Sequence, residues 1–383
     1  MAAVPSNGQS LSQRSGQLDL FRGLAALFMV VNHAGYQLLG AAAFDGGPAD
    51  WIVFVGSAAP ALFFFATGVG SGLSAGAGDT LAGVARKGLL LLIADLFLNW
   101  SHGTPLGFDF FGFAAISTAV LYVLRKAAHP VRLALILVVV VLALRFGLGA
   151  VAREWIAEGT WQAFVTGIDG VPHVSYPLAP WLAFPLLGLA VGRHWRYGNP
   201  RQEGWMVGAA IAVCLVAGCG LAMRGAPVFR WGSVSLAYFL CSTGIVGVAW
   251  LAAALACRAL PATVGWLGLR GPASLLIVPL HYGLLGLLEA IAPPPWGLPA
   301  WWATVILLAV VVFVLSRALV AGARRLTVPG AASQAGVAVA AGGMALAALL
   351  AARPLARLEI CSAAEVAIAA LLLWSAGGRR ARS

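Results

Sequence analysis

Apolar and polar positions alternate along this chain on the scale of whole helices. Apolar runs of about 20 residues, the length that crosses a hydrocarbon core, recur near 18–39, 51–75, 82–100, 107–125, 131–150 and 177–193. They continue near 204–222, 234–257, 272–291, 299–321, 334–352 and 360–377. The last two are weaker, being Ala/Gly-rich with Glu365 embedded. The pattern predicts an all-α, polytopic transmembrane helix bundle of about 10–12 spans. Pro- and Gly-rich joints such as "APPPWGLP" mark turns between spans, and no internal repeat of the inverted-repeat transporter plan stands out. Three parts follow: a polar tail at 1–17, a transmembrane domain at 18–330, and a weaker C-terminal pair of spans with a basic tail at 331–383. The tail at 1–17 lacks the basic segment and small-residue cleavage site of a signal peptide, so the first span is expected to be retained.

Composition and charge refine this picture. Apolar residues make up 61% of the chain and charged residues 10%, where a soluble domain carries about 25% charged residues. The net charge of +11 does not indicate nucleic acid, because the basic residues are dispersed between apolar runs. Their distribution instead gives an orientation. With the N-terminus cytoplasmic, eighteen of the 24 Lys and Arg residues fall on the inner side, among them Arg86, Lys87, Arg125, Lys126 and Arg270. The outer side keeps six, a positive-inside bias. The five cysteines show no metal-ligand spacing, so neither disulfides nor a structural metal are expected. The Ala/Gly/Arg-rich, Lys-poor composition suits a bacterial inner membrane.

The candidate chemistry lies in residues that are costly in a bilayer, at about 2.5–3.5 kcal/mol or more each. "LDLFRGLAALFMVVNHAGYQLLG" places Arg22 and His33 eleven residues apart. On a helix that is about 20° in azimuth and about 16 Å of rise. Asp19, three residues before Arg22, shares the same face. The stripe has two readings. Arg22 snorkels and pairs with Asp19 while His33 is a packing residue, or the stripe has a cationic inner end for an anionic ligand and a titratable base near the outer end. His281, in "SLLIVPLHYGLLGLL", is a second histidine close to mid-span and a candidate partner. Asn32, beside His33, is a further polar candidate. Arg86 and Lys87 add cations in the next inner loop. The outer turn "LNWSHGTPLGFD" offers Ser101, His102 and Asp109 as groups that bind an outer substrate or are simply solvated.

"LDLFRGLAALFMVVNHAG" resembles the opening of the heparan-alpha-glucosaminide N-acetyltransferase-like family, and more distantly the acyltransferase-3 family, in its Asp–x–x–Arg–Gly helix ending in a histidine. "WIVFVGSAAPALFFFATGVGSGL", "FDFFGFAAISTAVLYVLRK" and "YPLAPWLAFPLLGLAVGR" resemble later spans of the first family, and "SLLIVPLHYGLLGLL" its late histidine-bearing span. The resemblance covers about residues 17–195, and 272–290 more loosely. It implies a membrane acyltransferase that moves an acyl group, most simply acetyl from acetyl-CoA, onto an extracytoplasmic sugar or glycolipid, without a metal. His33 and His281 are then the catalytic candidates. Asp19, Arg22, Asn32, Arg86, Lys87, Ser101, His102 and Asp109 are the substrate-binding ones. Partners would be acyl-CoA, the acceptor, membrane lipids and a second copy of the chain. The alternative is a proton-coupled transporter or permease, which also places charges and a histidine in a membrane cavity.

Overall fold

The computed structural model describes residues 11–39, 48–74, 80–101, 107–147, 164–166, 174–197, 200–226, 228 and 234–325. Among them the chain is helical, and the pairing of Phe108 with Val174 is an isolated bridge. The helices are α1 (Leu11–Leu38), α2 (Pro48–Ser57), α3 (Ala59–Leu73), α4 (Leu81–Ser101), α5 (Phe110–Lys126) and α6 (Pro130–Leu142). A π-helical turn, Ala143–Gly147, extends α6. There follow α7 (Leu178–Trp181), α8 (Ala183–Tyr197), α9 (Pro200–Met223), α10 (Leu236–Ala259), α11 (Pro261–Leu267), α12 (Gly271–Ile291) and α13 (Leu298–Arg325). Within the described residues, five stretches are long and apolar enough to cross a membrane: Asp50–Leu73, Pro130–Gly147, Leu236–Ala259, Ala273–Ile291 and Leu298–Leu319. The spans expected at 334–352 and 360–377 lie outside the described residues.

The helix α1 is not among those five, and its position explains why. It packs against α2, α3, α10, α11, α12 and α13, with Phe21, Ala25, Ala26, Val30, Ala34 and Leu38 fully buried. A helix sheathed in protein rather than lipid can hold polar groups that a lipid-facing helix cannot. α1 and α12 run parallel and are pinned together at both ends. Leu269 N donates to Asp19 O and Trp296 N to Leu38 O, each at 2.8 Å. Gly23 permits the lower contact, since a Cβ there would lie 1.9 Å from the Leu267 carbonyl oxygen.

The apolar run at 51–75 is two helices rather than one. Pro60, in the first turn of α3, has no N–H for the Gly56 carbonyl, and its ring crowds that turn. Tyr238 of α10 donates its hydroxyl to the Ser57 carbonyl at the break, at 2.6 Å. Below it, α3 lies parallel to α8 in very close contact. A Cβ at Gly68 would sit 2.0 Å from the Pro185 carbonyl oxygen, and one at Gly188 2.1 Å from that of Phe65. Gly72 and Gly192 repeat this one turn on, so both helices present a small-xxx-small stripe that lets the backbones meet.

Candidate functional site

Two helices deliver the histidines to one point. His33 of α1 and His281 of α12 place Nδ1 and Nε2 2.5 Å apart, with the rings stacked at 4.8 Å. His281 is fully buried, and its Nδ1 lies 2.7 Å from the Ile277 carbonyl oxygen, one turn back along α12. That contact fixes the tautomers of the neutral pair. A carbonyl only accepts, so His281 Nδ1 bears the proton and its Nε2 keeps the lone pair. His33 Nδ1 must then donate to it, which leaves the basic lone pair of His33 on Nε2. The order of partners aims one nitrogen of one histidine, as an orienting carboxylate does in a catalytic triad. Tyr282 completes the cluster. Its hydroxyl oxygen is 3.3 Å from His33 Nε2, and its ring stacks on His33 at 4.6 Å.

About 16 Å along α1 from His33, Arg22 lies at the wall of a cavity of about 360 Å³ between α1, α3, α4, α5 and α12. Arg22, Arg86, Lys87 and Arg125 line it, and among the described residues no carboxylate does. Arg22 Nη1 is held by Asp19 Oδ1 at 3.1 Å, while its Nη2 lies beside Gly70, where a Cβ would approach to 3.0 Å. The cavity is elongated. Its α3 wall runs from Ser74 to Phe63, eleven residues or about 16 Å, and its far end is closed by Phe63, Phe64 and Phe110. On α12 the lining residues Gly271, Ser274 and Leu275 lead to His281, which follows Ser274 by seven residues and so falls on the same face. A second, open hollow of about 660 Å³ runs along one face of α6 from Ala128 to Val139, and neither His33 nor His281 lines it.

The remaining predicted residues divide clearly. Asn32 Nδ2 donates to the Val53 carbonyl at 3.0 Å, tying α1 to α2. Asp109 caps α5, its Oδ1 accepting from Phe110 N at 2.7 Å and its Oδ2 from Ser175 Oγ at 2.9 Å. Asp95, buried on α4, accepts from Asp109 N at 3.0 Å and from Asn99 Nδ2 at 3.1 Å through one oxygen. Both carboxylates thus serve the N-terminus of α5, where backbone N–H groups lack helical partners. Ser101 ends α4; its side chain and the whole of His102 lie outside the described residues. Arg145, in the π-helical turn, donates to the Val234 carbonyl at 3.2 Å. Arg125 and Tyr282 join the site without having been singled out in the sequence. For Arg125 the signal is the basic end of an apolar run. Tyr282 has no signal beyond adjacency to His281.

Membrane-length helices around a central polar helix, a buried histidine pair and a cation-lined cavity define a polytopic integral-membrane protein built around an internal site. Residues 14–241 match the family described as heparan-alpha-glucosaminide N-acetyltransferase, catalytic. The chain belongs to that family, a family of membrane acetyltransferases. The match runs from α1 into α10, so His33 and all the cavity cations fall inside it, whereas His281 and Tyr282 lie beyond it. No curated protein and no solved structure gives a significant match.

Proposed function

We propose that the protein transfers an acetyl group from acetyl-CoA, supplied from the cytoplasm, to a sugar of an extracytoplasmic glycan or glycolipid. The observation that carries this reading is the cavity: four cations at one end, no carboxylate among the described lining residues, and a length of about 16 Å. The phosphates of coenzyme A match the cationic end, with Arg22 as a fixed guanidinium and Arg86, Lys87 and Arg125 beside it. The extended pantetheine arm matches the length, and the α12 face that lines the cavity continues toward His281, which contacts His33. There His33 Nε2 takes the proton of the acceptor amine or hydroxyl, or itself accepts the acetyl group before passing it on. His281 orients His33 and accepts from its Nδ1–H. Donor and acceptor then meet at the histidines from opposite faces of the membrane.

The test is His33→Ala in proteoliposomes given radiolabelled acetyl-CoA and glucosamine. Transfer is lost while yield and thermal stability stay near wild type. Retention of more than about a tenth of the rate, a barrier change under about 1.4 kcal/mol, overturns the assignment. Solute uptake without any acetyl transfer by the wild type would favour a proton-coupled carrier instead.

A further inference from the structure

Tyr282 is a polar group at the histidine pair that the proposed reaction leaves unused. Its ring lies at 28° to that of His33, with centroids 4.6 Å apart, and at 35° to that of His281 at 4.4 Å. The rings are stacked at a tilt, and the hydroxyl makes a long contact with His33 Nε2. When a substrate atom takes the Nε2 lone pair, the phenol gives up this 3.3 Å contact and its O–H is left beside the reacting atoms. Several nearby donors already reach a backbone carbonyl. Asn32 Nδ2 serves Val53, Ser57 Oγ serves Phe54, Tyr238 serves Ser57, and Trp296 Nε1 serves Ala292.

Attack on a thioester converts its carbonyl oxygen to an oxyanion, one bond beyond the carbon under attack. Whether the attacking atom is His33 Nε2 itself or an acceptor atom bonded to it, that oxygen develops within a few ångströms of Nε2. An effective stabilising donor sits about 2.7–3.1 Å from the oxyanion. We infer that Tyr282 is a catalytic residue whose O–H donates a hydrogen bond to this oxyanion. The carbonyl π pair moves onto oxygen as the new bond to carbon forms. It returns as the carbon–sulfur bond breaks and coenzyme A leaves as thiolate, while the phenolic proton remains on Tyr282. The hydrogen bond strengthens as charge builds, so it lowers the barrier rather than tightening donor binding. The inference rests on the His33 reading above.

The experiment is Tyr282→Phe, which keeps the stack and removes the donor, assayed with acetyl-CoA and glucosamine beside His33→Ala from the same preparation. The expected result is a fall in kcat of about a hundredfold, with the acetyl-CoA KM and the melting temperature unchanged. An unchanged kcat overturns the inference. Should the melting temperature fall as well, ring-fluorinated tyrosines installed at position 282 decide the matter. A rate that changes progressively with phenol acidity supports the oxyanion donor, and a rate indifferent to acidity rules it out. Failure of the underlying reading looks different. In that case His33→Ala stays active, whereas failure of this inference alone leaves His33→Ala dead and Tyr282→Phe normal.

Discussion

Arg22 has two neighbours that imply different roles. Nη1 is bound to Asp19 at 3.1 Å, a structural pairing one helical turn apart, while the rest of the guanidinium borders the cavity beside Gly70 and Gly271. A charge-assisted hydrogen bond to a phosphate is worth about 1.5–3 kcal/mol. Arg22→Gln is therefore expected to raise the acetyl-CoA KM about ten- to a hundredfold and leave the acceptor KM unchanged. Asp19→Asn is the control, because Asp19 orients Arg22 and repels a phosphate; its main effect should be on thermal stability. A normal donor KM in Arg22→Gln would make the pair purely structural. The stripe joining Arg22 to His33 is legible in the sequence because both lie on one helix and the helical period fixes their relation. The contact of His33 with His281 joins positions 248 apart in the chain, and no periodicity encodes it. Asp109 illustrates an ambiguity of local reading: an Asp directly before "FFGF" is an N-cap signal, yet the same residue in a polar turn also looks like a binding group.

At the scale of elements, the contact between α3 and α8 sets the shape of the cavity, since α3 supplies one of its walls. Methyl groups at this crossing would meet backbone oxygen rather than yielding side chains. Gly188→Ala places its Cβ 2.1 Å from the Phe65 carbonyl oxygen, so the helices must separate. The expected outcome is a loss of about 1–3 kcal/mol, the usual cost of overpacking a close-fitting contact. It would be read as a lower melting temperature in detergent, together with a raised donor KM because the α3 wall shifts. Gly220→Ala on α9 is the comparison, since nothing lies within 4 Å of the added carbon. It should be neutral. Equal melting temperatures for the two variants would mean the crossing tolerates expansion. Both Gly-x-x-x-Gly spacings stand in the sequence, at 68–72 and 188–192, but only the fold shows that they face each other. The break between α2 and α3 was hidden by an unbroken apolar run, in which hydropathy outweighs the signal of Pro60.

For the whole molecule, the helix pairings fix which ends share a face of the bundle. α1 and α12 are parallel, as are α3 and α8, while α9 and α10 approach through Gly218 with Cys241 and Leu215 with Gly244 and so are antiparallel. Strict alternation of passes satisfies all three. It gathers Arg22, Arg86, Lys87, Arg125 and Arg270 at one face, and the Leu38 and Trp296 ends of α1 and α12 at the other. By the excess of Lys and Arg we propose that the cationic face is the cytoplasmic one, the side that would supply the proposed donor. Two exposed alanines report on this. Ala128, between α5 and α6, belongs to the cationic face, and Ala292, at the end of α12, to the opposite one. In right-side-out vesicles, Ala292→Cys should react with a membrane-impermeant maleimide above the background of the native cysteines. Ala128→Cys should react only after permeabilisation. The inverse pattern would turn the cationic mouth outward, away from any supply of coenzyme A, and the donor assignment would fall with the orientation. Equal labelling of both sites in intact vesicles would instead break the alternation of passes, and with it the common face on which the four cavity cations meet.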